Sequence, residues 1–247
     1  MTLYGLIGRP LTHSFSQRYF REQFEREGDS DSDYLLFPLS RVEVFPELLT
    51  VYPTLRGINV TIPYKEKILP YLDELDETAR AVGAVNTIRV QAGKLTGYNT
   101  DVIGFEQSLT GLIGERQELR ALVLGTGGAA KAIHYVLDKL EIPSLSVSRD
   151  ATRGDLTYEQ IDTPTLRAHS LIINTTPLGT YPQVNFAPKL PYEDLTSQHL
   201  LFDLVYNPEE TLFLKHGKQA GAATRNGYEM LRLQADAAWA IWQVPLT

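Results

Sequence analysis

The chain has 247 residues, 43% of them hydrophobic, and its 23 basic and 30 acidic residues give a formal net charge of −7 at pH 7. This composition predicts a globular protein of one large or two smaller domains and excludes an intrinsically disordered one. The acidic balance and the lack of a long cluster of Lys and Arg argue against a nucleic-acid partner.

Cysteine is absent, which excludes disulfide bonds, a thiol nucleophile and thiolate metal ligands. The five histidines are too widely spaced for a helical zinc motif, so we expect no metal. The segment "MTLYGLIGRPLTHS" lacks a cationic leader, and no run of about 18 apolar residues predicts a membrane span. We therefore expect a cytoplasmic protein without a membrane partner, either a monomer or a homodimer.

The first half of the chain alternates short apolar runs with segments of helical period. "LYGLI" precedes "RYFREQFERE", "YLLF" precedes "VEVFPELLTVY", and "GINVTI" precedes a helical stretch predicted to begin at Lys65. This order predicts crossover units and a largely parallel sheet. In "AVNTIRVQAGKLTGYNT" two predicted strands flank Ala92 and Gly93, which is typical of a tight hairpin at a sheet edge.

The alternation starts again in the second half, at "ALVLGTGGAAKAIHYVLDKL", and continues through "PSLSVSR", "SLIINTTP" and "HLLFDLVYN". A helix beginning near Gly104 is predicted to bridge the two blocks. The segment from Gly227 to Trp242 is apolar on most faces, so we expect it to be buried and to pack back on the first block. The pattern predicts two α/β domains, residues 1–103 plus 226–247 and residues 104–225.

The glycine-rich stretch "VLGTGGAAKA" follows a predicted strand and opens a predicted helix. Gly125, Gly127 and Ala130 fit the dinucleotide fingerprint G-x-G-x-x-G/A in the context that it requires. Small residues there permit the tight turn, the approach of a pyrophosphate and close packing of helix and strand, while the helix N-terminus favours an anion. The alternative is a glycine-rich turn without a ligand.

The residues that read the cofactor ribose are expected about 20 positions later, in "LSVSRDATR". Ser148, Arg149 and Arg153 suit the 2′-phosphate of NADP, because guanidinium groups form charge-assisted hydrogen bonds with phosphate. Asp150 points the other way, since it would repel that phosphate or accept a hydrogen bond from a ribose hydroxyl of NAD. We therefore predict NADP, with NAD as the alternative.

Polar residues in the first block follow or end its predicted strands. Ser14 and Ser16 directly precede a helix, where they would serve as a helix cap or bind a carboxylate. The other polar residues at strand ends are Asn59, Thr61, Lys65, Asn86 and Asp101. Such side chains recognise a polyhydroxylated small molecule, and a Lys beside an Asp makes a proton-handling couple. A surface Lys without a role is the alternative.

The motifs together resemble the shikimate/quinate dehydrogenase family over essentially the whole chain. The matching segments, in order, are "RPLTHSFSQ", "NVTIPYK", "GAVNT", "GYNTDVIG", "GTGGAAKA", "SRDATR", "INTTPLG", "DLVYNP" and "NGYEMLRLQ". The resemblance implies NADPH-dependent, reversible reduction of 3-dehydroshikimate to shikimate. It also implies a cleft between a substrate domain, with a mainly parallel mixed sheet, and a Rossmann-type nucleotide-binding domain.

The resemblance assigns roles to individual residues of this sequence. Lys65 and Asp101 would form the catalytic couple. The residues that would hold the substrate are Ser14, Ser16, Asn59, Thr61, Asn86, Asp101, Tyr206 and Gln234. Those that would bind the cofactor are Gly125, Gly127, Gly128, Ala129, Ala130, Ser148, Arg149, Arg153, Asn174, Thr175 and Gly227.

The sequence departs from the family pattern at three places. Gln17 stands where Pro is common, Ser148-Arg149-Asp150 replaces the usual Asn-Arg-Thr, and the segment "SRDATRGDLTYEQ" is compact. Two alternatives therefore accompany the prediction: an NAD-dependent quinate/shikimate dehydrogenase, and a non-catalytic dinucleotide-binding sensor. The presence of both Lys65 and Asp101 argues against the sensor.

Overall fold

The computed structural model describes residues 1–11 and 15–244 of the chain. The protein divides into two compact units, Met1–Thr100 with Ala235–Thr247, and Asp101–Gln234. The boundaries expected from the sequence lie three residues later at the first crossing and nine residues earlier at the second. The expected boundaries stay a prediction of where the substrate and nucleotide domains begin and end. No helix in the described part of the chain is long and apolar enough to cross a membrane.

The first unit contains a six-stranded mixed sheet. Its strands are β1 (Thr2–Gly8), β2 (Ser32–Pro38), β3 (Leu55–Val60), β4 (Glu74–Leu75), β5 (Thr87–Gln91) and β6 (Lys94–Tyr98), and its helices are α1 (Phe15–Glu27), α2 (Phe45–Val51) and α3 (Glu77–Val82). The strand order is β2-β1-β3-β5-β6-β4. The pairs β1–β2, β1–β3 and β4–β6 are parallel, whereas β5 runs antiparallel to both neighbours. The predicted mainly parallel mixed sheet is confirmed.

The hairpin predicted at Ala92 and Gly93 joins β5 to β6, with Gln91 paired to Lys94. Both turn residues have positive φ angles, 51° and 79°, as a two-residue turn between right-twisted strands requires. The expectation that the hairpin forms the sheet edge was wrong, because the short strand β4 pairs with β6 beyond it. That pairing joins distant segments and leaves no local pattern in the sequence.

The prediction that a helical stretch begins at Lys65 was also wrong. The segment forms turns and a short 3-10 helix, Leu69–Tyr71. Pro70 lacks the N–H group that an α-helix needs in its interior, so a long helix from Lys65 through this segment is disfavoured. The chain is instead held by Tyr64 and Ile68, whose side chains are buried in the core.

The C-terminal part of α8 (Tyr228–Trp242) belongs to the first unit, as predicted for the segment that packs back on the first block. Trp242 is buried, stacks on Tyr4 with ring centroids 5.0 Å apart, and donates a hydrogen bond of 3.0 Å from Nε1 to the carbonyl of Ile88. Gly57 in β3 leaves room for this ring, because a side-chain carbon there would overlap it.

The second unit contains a parallel sheet of six strands. They are β7 (Ala121–Leu124), β8 (Ser144–Ser148), β9 (Leu156–Thr157), β10 (Leu171–Asn174), β11 (Leu200–Asp203) and β12 (Ala223–Arg225). Its helices are α4 (Asp101–Ile113), α5 (Gly128–Lys139), α6 (Thr163–Ala168), α7 (Leu212–Gln219) and the start of α8. The strand order is β12-β11-β10-β7-β8-β9, so the direction of winding reverses between β7 and β10. This is the doubly wound order of dinucleotide-binding domains, which confirms the predicted Rossmann-type fold.

Two helices of the second unit cross at a glycine. Gly104 lies in α4, the helix predicted to bridge the blocks, and a side-chain carbon there would overlap the carbonyl oxygen of Met230 in α8. Gly111, two turns later in α4, faces only the guanidinium end of Arg225, whose Nη1 would lie 3.1 Å from an added carbon. The first glycine is therefore required by packing and the second is not.

Gly104→Ala is expected to lower the free energy of unfolding by about 1–3 kcal/mol, because the added methyl group forces two helix backbones apart. Gly111→Ala is the matched control in the same helix. It is expected to be neutral or to raise stability by up to about 1 kcal/mol, since alanine favours helix interiors. Urea unfolding of both variants measures the difference, and equal stabilities would contradict the tight crossing.

Candidate functional site

A chain of hydrogen bonds in the first unit begins at the N-terminus of α1. Ser16 is half-buried, and its hydroxyl bonds the hydroxyl of Tyr34. Tyr34 is fully buried and donates to Oδ1 of Asn59 over 2.7 Å. Burial raises the pKa of Tyr34 well above its ordinary value, so its hydroxyl remains a donor at any working pH. Ser14, predicted to act with Ser16, lies outside the described residues.

The side-chain amide of Asn59 is occupied within the protein. Its Oδ1 accepts from Tyr34, and its Nδ2 donates to Oγ1 of Thr87 at 3.2 Å and to the carbonyl of Asn86 at 3.4 Å. The residue is 5% exposed. Oδ1 accepts the hydrogen bond from Tyr34 and has a second lone pair, so these bonds hold the amide in one orientation without preventing ligand contact. That Asn59 contacts the substrate stays a prediction.

The same network reaches the residue before Asp101. Asn86 is buried, accepts from the backbone N–H of Thr100 at 2.7 Å and donates to its Oγ1 at 2.9 Å. The hydroxyls of Thr87 and Thr100 lie 3.3 Å apart. Asp101 follows as the first residue of α4 and is 6% exposed. A carboxylate at a helix N-terminus is stabilised by the free N–H groups there.

Lys65 is fixed through its backbone. Its carbonyl accepts from the N–H of Val85 at 2.8 Å, directly before Asn86 in the sequence. On either side, Tyr64 is buried with its hydroxyl on the carbonyl of Leu39 at 2.6 Å, and Ile68 is fully buried. The structure therefore brings the segment of Lys65 next to that of Asn86. Thr61, half-buried, continues from β3 and donates its N–H to the carbonyl of Ile7.

The glycine-rich turn of the second unit lies between the carboxyl ends of β7 and β10. Gly125 has a φ of 112°, and a side-chain carbon there would lie 2.6 Å from Oγ1 of Thr175. Thr175 in turn donates to the carbonyl of Leu124 at 2.7 Å. Only glycine tolerates both the backbone angle and the close approach. This is the position in the sheet at which doubly wound domains bind dinucleotides.

The N-terminus of α5 is open to an anion. Gly127 is the N-cap, no side chain caps the helix there, and nothing lies within 4 Å of the space that a side chain would occupy. Gly128, Ala129 and Ala130 form the first turn, and Ala130 is buried against the sheet. The unsatisfied backbone N–H groups and the open space fit the pyrophosphate of a dinucleotide.

A buried carboxylate connects the loops around this turn. Asp203, at the end of β11, is fully buried and accepts from Nδ2 of Asn174 at 2.9 Å, from Oγ1 of Thr211 at 2.6 Å and from the N–H of Val205 at 3.0 Å. Burial raises the pKa of Asp203 to about 6, although all three donors act to lower it. Asn174, predicted to bind the cofactor, is fully buried and accepts from Thr176. It shapes the loop that follows β10.

The segment of Tyr206 is tied to the same network. The N–H of Leu204 donates to the carbonyl of Asn174 at 2.9 Å, and the N–H of Gly227 donates to the carbonyl of Val205 at 3.1 Å. A side-chain carbon at Gly227 would overlap the carbonyl oxygen of Leu204, so only glycine fits there. Tyr206 and Gly227 were predicted from separate motifs, and hydrogen bonds join the two segments that contain them.

The remaining predicted residues lie at the end of β8 and in α8. Ser148 is buried, whereas Arg149 and Arg153 are exposed in the turn that follows. Gln234 is 9% exposed and donates from Nε2 to the carbonyl of Leu231 at 2.8 Å. Within residues 1–11 and 15–244, no three or more His, Asp or Glu side chains are grouped so as to hold a metal ion.

Comparison with known proteins identifies the family. A family model for the substrate-binding domain of shikimate dehydrogenase matches residues 6–88. A shikimate dehydrogenase (NADP(+)) of Halothermothrix orenii is 37% identical, and the match covers 96% of this chain and 89% of the relative. The chain belongs to the shikimate dehydrogenase family. The resemblance read from the motifs is confirmed.

Solved structures of the shikimate dehydrogenase family have the same fold. The shikimate 5-dehydrogenase of Thermus thermophilus, in complex with NADP(H) and shikimate, is 30% identical with a TM-score of 0.87, covering 100% of this chain and 95% of that one. A quinate dehydrogenase of Corynebacterium glutamicum, in complex with NAD, is 27% identical with a TM-score of 0.86, covering 98% and 93%. Proteins with NADP and with NAD share this architecture, so the fold alone does not select the cofactor.

The sequence did not predict several residues of the two hydrogen-bond networks. They are Tyr34, Thr87, Thr100, Asp203 and Thr211. Asp203 could have been found, because an Asp directly after the apolar run "LLF" resembles the other polar strand ends. Thr211 carries the signal of a helix N-cap and accepts from the N–H of Leu214. Tyr34 gives no signal, since a tyrosine in a strand is common.

The raised pKa of Asp203 makes the stability of the protein depend on pH. Its folded-state value of about 6 lies above the ordinary 3.8, so the folded state holds the proton more tightly than the unfolded state. The stabilisation is complete below the unfolded value and is lost as the pH rises through the folded one. Wild type should therefore lose about 1–1.5 kcal/mol between pH 5 and pH 8 relative to Asp203→Asn, which does not titrate.

Urea unfolding of the wild type and Asp203→Asn at several pH values between 5 and 8 checks this prediction. The comparison removes titrations that the two proteins share, because it uses the difference in unfolding free energy at each pH. A difference that stays constant over this range would contradict the assignment of a raised pKa to Asp203.

Proposed function

We infer that this protein is an NADP-dependent shikimate dehydrogenase, which reversibly reduces 3-dehydroshikimate to shikimate in the biosynthesis of aromatic amino acids. The observation that carries the inference is the match to NADP(+)-named shikimate dehydrogenases over nearly the whole chain, which retains both Lys65 and Asp101. We further propose a cytoplasmic location, a small-molecule substrate as its ligand, no nucleic-acid partner, and a monomeric or homodimeric state.

The second unit has the groups that would hold the cofactor. We assign the pyrophosphate to the N-terminus of α5, at Gly127, Gly128 and Ala129, because its N–H groups are uncapped and the space before them is open. We assign the 2′-phosphate to Arg149 and Arg153, and the nicotinamide side to Gly227. When bound, NADPH supplies the hydride that reduces the substrate ketone carbon.

The substrate is recognised by its carboxylate and its hydroxyl groups. We assign the carboxylate to Ser14, Ser16 and Tyr206. Thr61, Asn86 and Gln234 are assigned to the ring hydroxyls, because hydroxyl and amide groups both donate and accept hydrogen bonds. Asn59 is assigned to the ring hydroxyls with them, and its bonds to Tyr34 and to the backbone of Asn86 hold its amide in position.

Lys65 is proposed to act on the substrate oxygen. That oxygen gains negative charge as the carbonyl carbon is reduced, and the Lys65 ammonium supplies the hydrogen bond or proton that neutralises it. Asp101 is proposed as the carboxylate of the couple. Both contributions are realised mainly in the transition state, which is where they accelerate the reaction. In the oxidation of shikimate the proton returns from the hydroxyl to Lys65.

Lys65→Ala is expected to lower kcat by about 10²- to 10⁴-fold, the usual range for general acid–base catalysis, with little change in KM for NADP⁺. Lys67→Ala is the matched control, because Lys67 is an exposed lysine in the same segment. Steady-state oxidation of shikimate measures both variants. Near-native turnover in Lys65→Ala would remove Lys65 from the mechanism.

Arg149→Ala is expected to reduce the ratio of kcat/KM for NADP⁺ to that for NAD⁺ by about tenfold or more, since a charge-assisted hydrogen bond is worth roughly 1.5–3 kcal/mol. Arg167→Ala, an exposed arginine in α6, serves as the control. An unchanged ratio in Arg149→Ala would contradict its assignment to the 2′-phosphate.

The decisive experiment is the initial rate of cofactor reduction by the purified protein with shikimate, first with NADP⁺ and then with NAD⁺. Fast turnover with NADP⁺ supports the proposed function. Asp150 favours one second candidate, an NAD-dependent quinate/shikimate dehydrogenase, and faster turnover with NAD⁺ and quinate would support it instead. A folded sample that binds dinucleotide but turns over neither substrate would overturn both and leave a sensor.

A further inference from the structure

The turn after β8 combines charges of opposite sign. Arg149, Asp150 and Arg153 are all exposed there, within five residues of chain. The two cations suit the 2′-phosphate of NADP, whereas a free carboxylate between them would repel it. The inference rests on the proposed NADP-dependent function, because only then must the carboxylate be compatible with a bound phosphate.

Asp150 forms its hydrogen bonds within the turn itself. Its Oδ1 accepts from the N–H of Thr152 at 2.9 Å and from Oγ1 of Thr152 at 2.7 Å. Its backbone carbonyl accepts from the N–H of Arg153 at 3.0 Å, and its backbone N–H donates to Oγ of Ser148 at 3.1 Å. A side-chain oxygen bonded to the N–H two residues later is the arrangement by which Asp and Asn stabilise turns.

The turn is also anchored to the end of β8. A side-chain carbon at Gly154 would lie 2.9 Å from Cβ and from the backbone nitrogen of Ser148. Ser148 is buried, so both ends of the turn are held against the end of β8. The bond from Arg153 to Asp150 closes residues 150–153 into a turn, which brings the Cα atoms of Asp150 and Arg153 within about 7 Å. Arg149 directly precedes this turn, so one arginine adjoins its start and the other is its last residue.

We propose that Asp150 is a positioning residue for cofactor selectivity: its side-chain oxygen, held by Thr152, closes the turn that presents Arg149 and Arg153 together to a 2′-phosphate. It neither reads the ribose of NAD nor acts mainly by repelling NADP. The two donors of Thr152 also hold the pKa of Asp150 below its usual range, as expected for a carboxylate stabilised by local hydrogen bonds.

Two substitutions separate the geometry of Asp150 from its charge. Asp150→Asn keeps an oxygen that closes the same turn but removes the negative charge. Asp150→Ala removes both. If repulsion governs, the two variants behave alike and both bind the 2′-phosphate more tightly. If the turn governs, Asp150→Asn binds it as well as the wild type or better, whereas Asp150→Ala binds it more weakly.

Calorimetric titration of the purified protein with 2′,5′-ADP and with ADP measures the effect without requiring catalysis. We expect Asp150→Ala to weaken 2′,5′-ADP binding by at least fivefold, with ADP binding changed less than twofold. Asp150→Asn should keep or improve the affinity for 2′,5′-ADP. Thr152→Val, which removes one of the two donors to Asp150, should give a smaller loss of the same sign.

Asp29 offers a matched control in the first unit, because its Oδ1 accepts from the N–H of Asp31 at 3.0 Å in a turn of the same kind. Asp29→Ala should leave both affinities unchanged. Tighter 2′,5′-ADP binding by Asp150→Ala would overturn the proposal in favour of repulsion. Weaker ADP binding by Asp150→Ala and Asp150→Asn alike would overturn it in favour of ribose recognition.

The inference and the proposed function fail separately. If wild type binds 2′,5′-ADP and the variants follow the expected order, the turn has the role assigned to it even when shikimate is not oxidised. If shikimate is oxidised with NADP⁺ but Asp150→Ala binds 2′,5′-ADP as wild type does, the enzyme stands and the positioning role is wrong. Thermal unfolding of each variant establishes that the comparison is made on folded protein.

Discussion

Buried polar side chains must find hydrogen-bond partners inside the protein, because an unpaired one costs about 1–3 kcal/mol. Both compact units are organised around this constraint at the carboxyl ends of their strands. In the first unit Tyr34 connects Ser16 to Asn59, and in the second Asp203 connects Asn174 to Thr211. Each network joins segments that carry separate motifs of the dehydrogenase family, so satisfying the buried groups also fixes the candidate functional residues.

The second unit has a helix start without a side-chain cap at its glycine-rich turn, and we propose that the cofactor binds there. The N-terminus of α5 begins at an uncapped glycine, Gly127, with open space before it. Around this gap the structure is tightly constrained, since Thr175 fills the space beside Gly125 and the Asp203 network orders the following loops. Backbone N–H groups at a helix start without a side-chain cap are suited to an anion.

The turn after β8 shows why the type of a charged residue does not by itself define its role. In the sequence, Asp150 argued against NADP because its carboxylate would repel the 2′-phosphate. In the structure its oxygen is bonded to Thr152, two residues away, and the arginines lie before and after it. A carboxylate that closes a turn contributes geometry as well as charge, and the two contributions have opposite effects on the binding of a phosphate.

The sequence by itself determined the features that depend on neighbouring residues. The hairpin at Ala92 and Gly93 and the glycine-rich turn after β7 were predicted correctly, because backbone angles and small side chains act locally. The tertiary structure alone decided the hydrogen-bond partners of Asn59, Tyr34 and Thr87, which are 25 and 28 residues away, and the burial of Asp203 against Asn174, which is 29 residues away. Such partners meet only when the sheet forms, since hydrogen bonds between distant segments leave no periodic pattern in the chain.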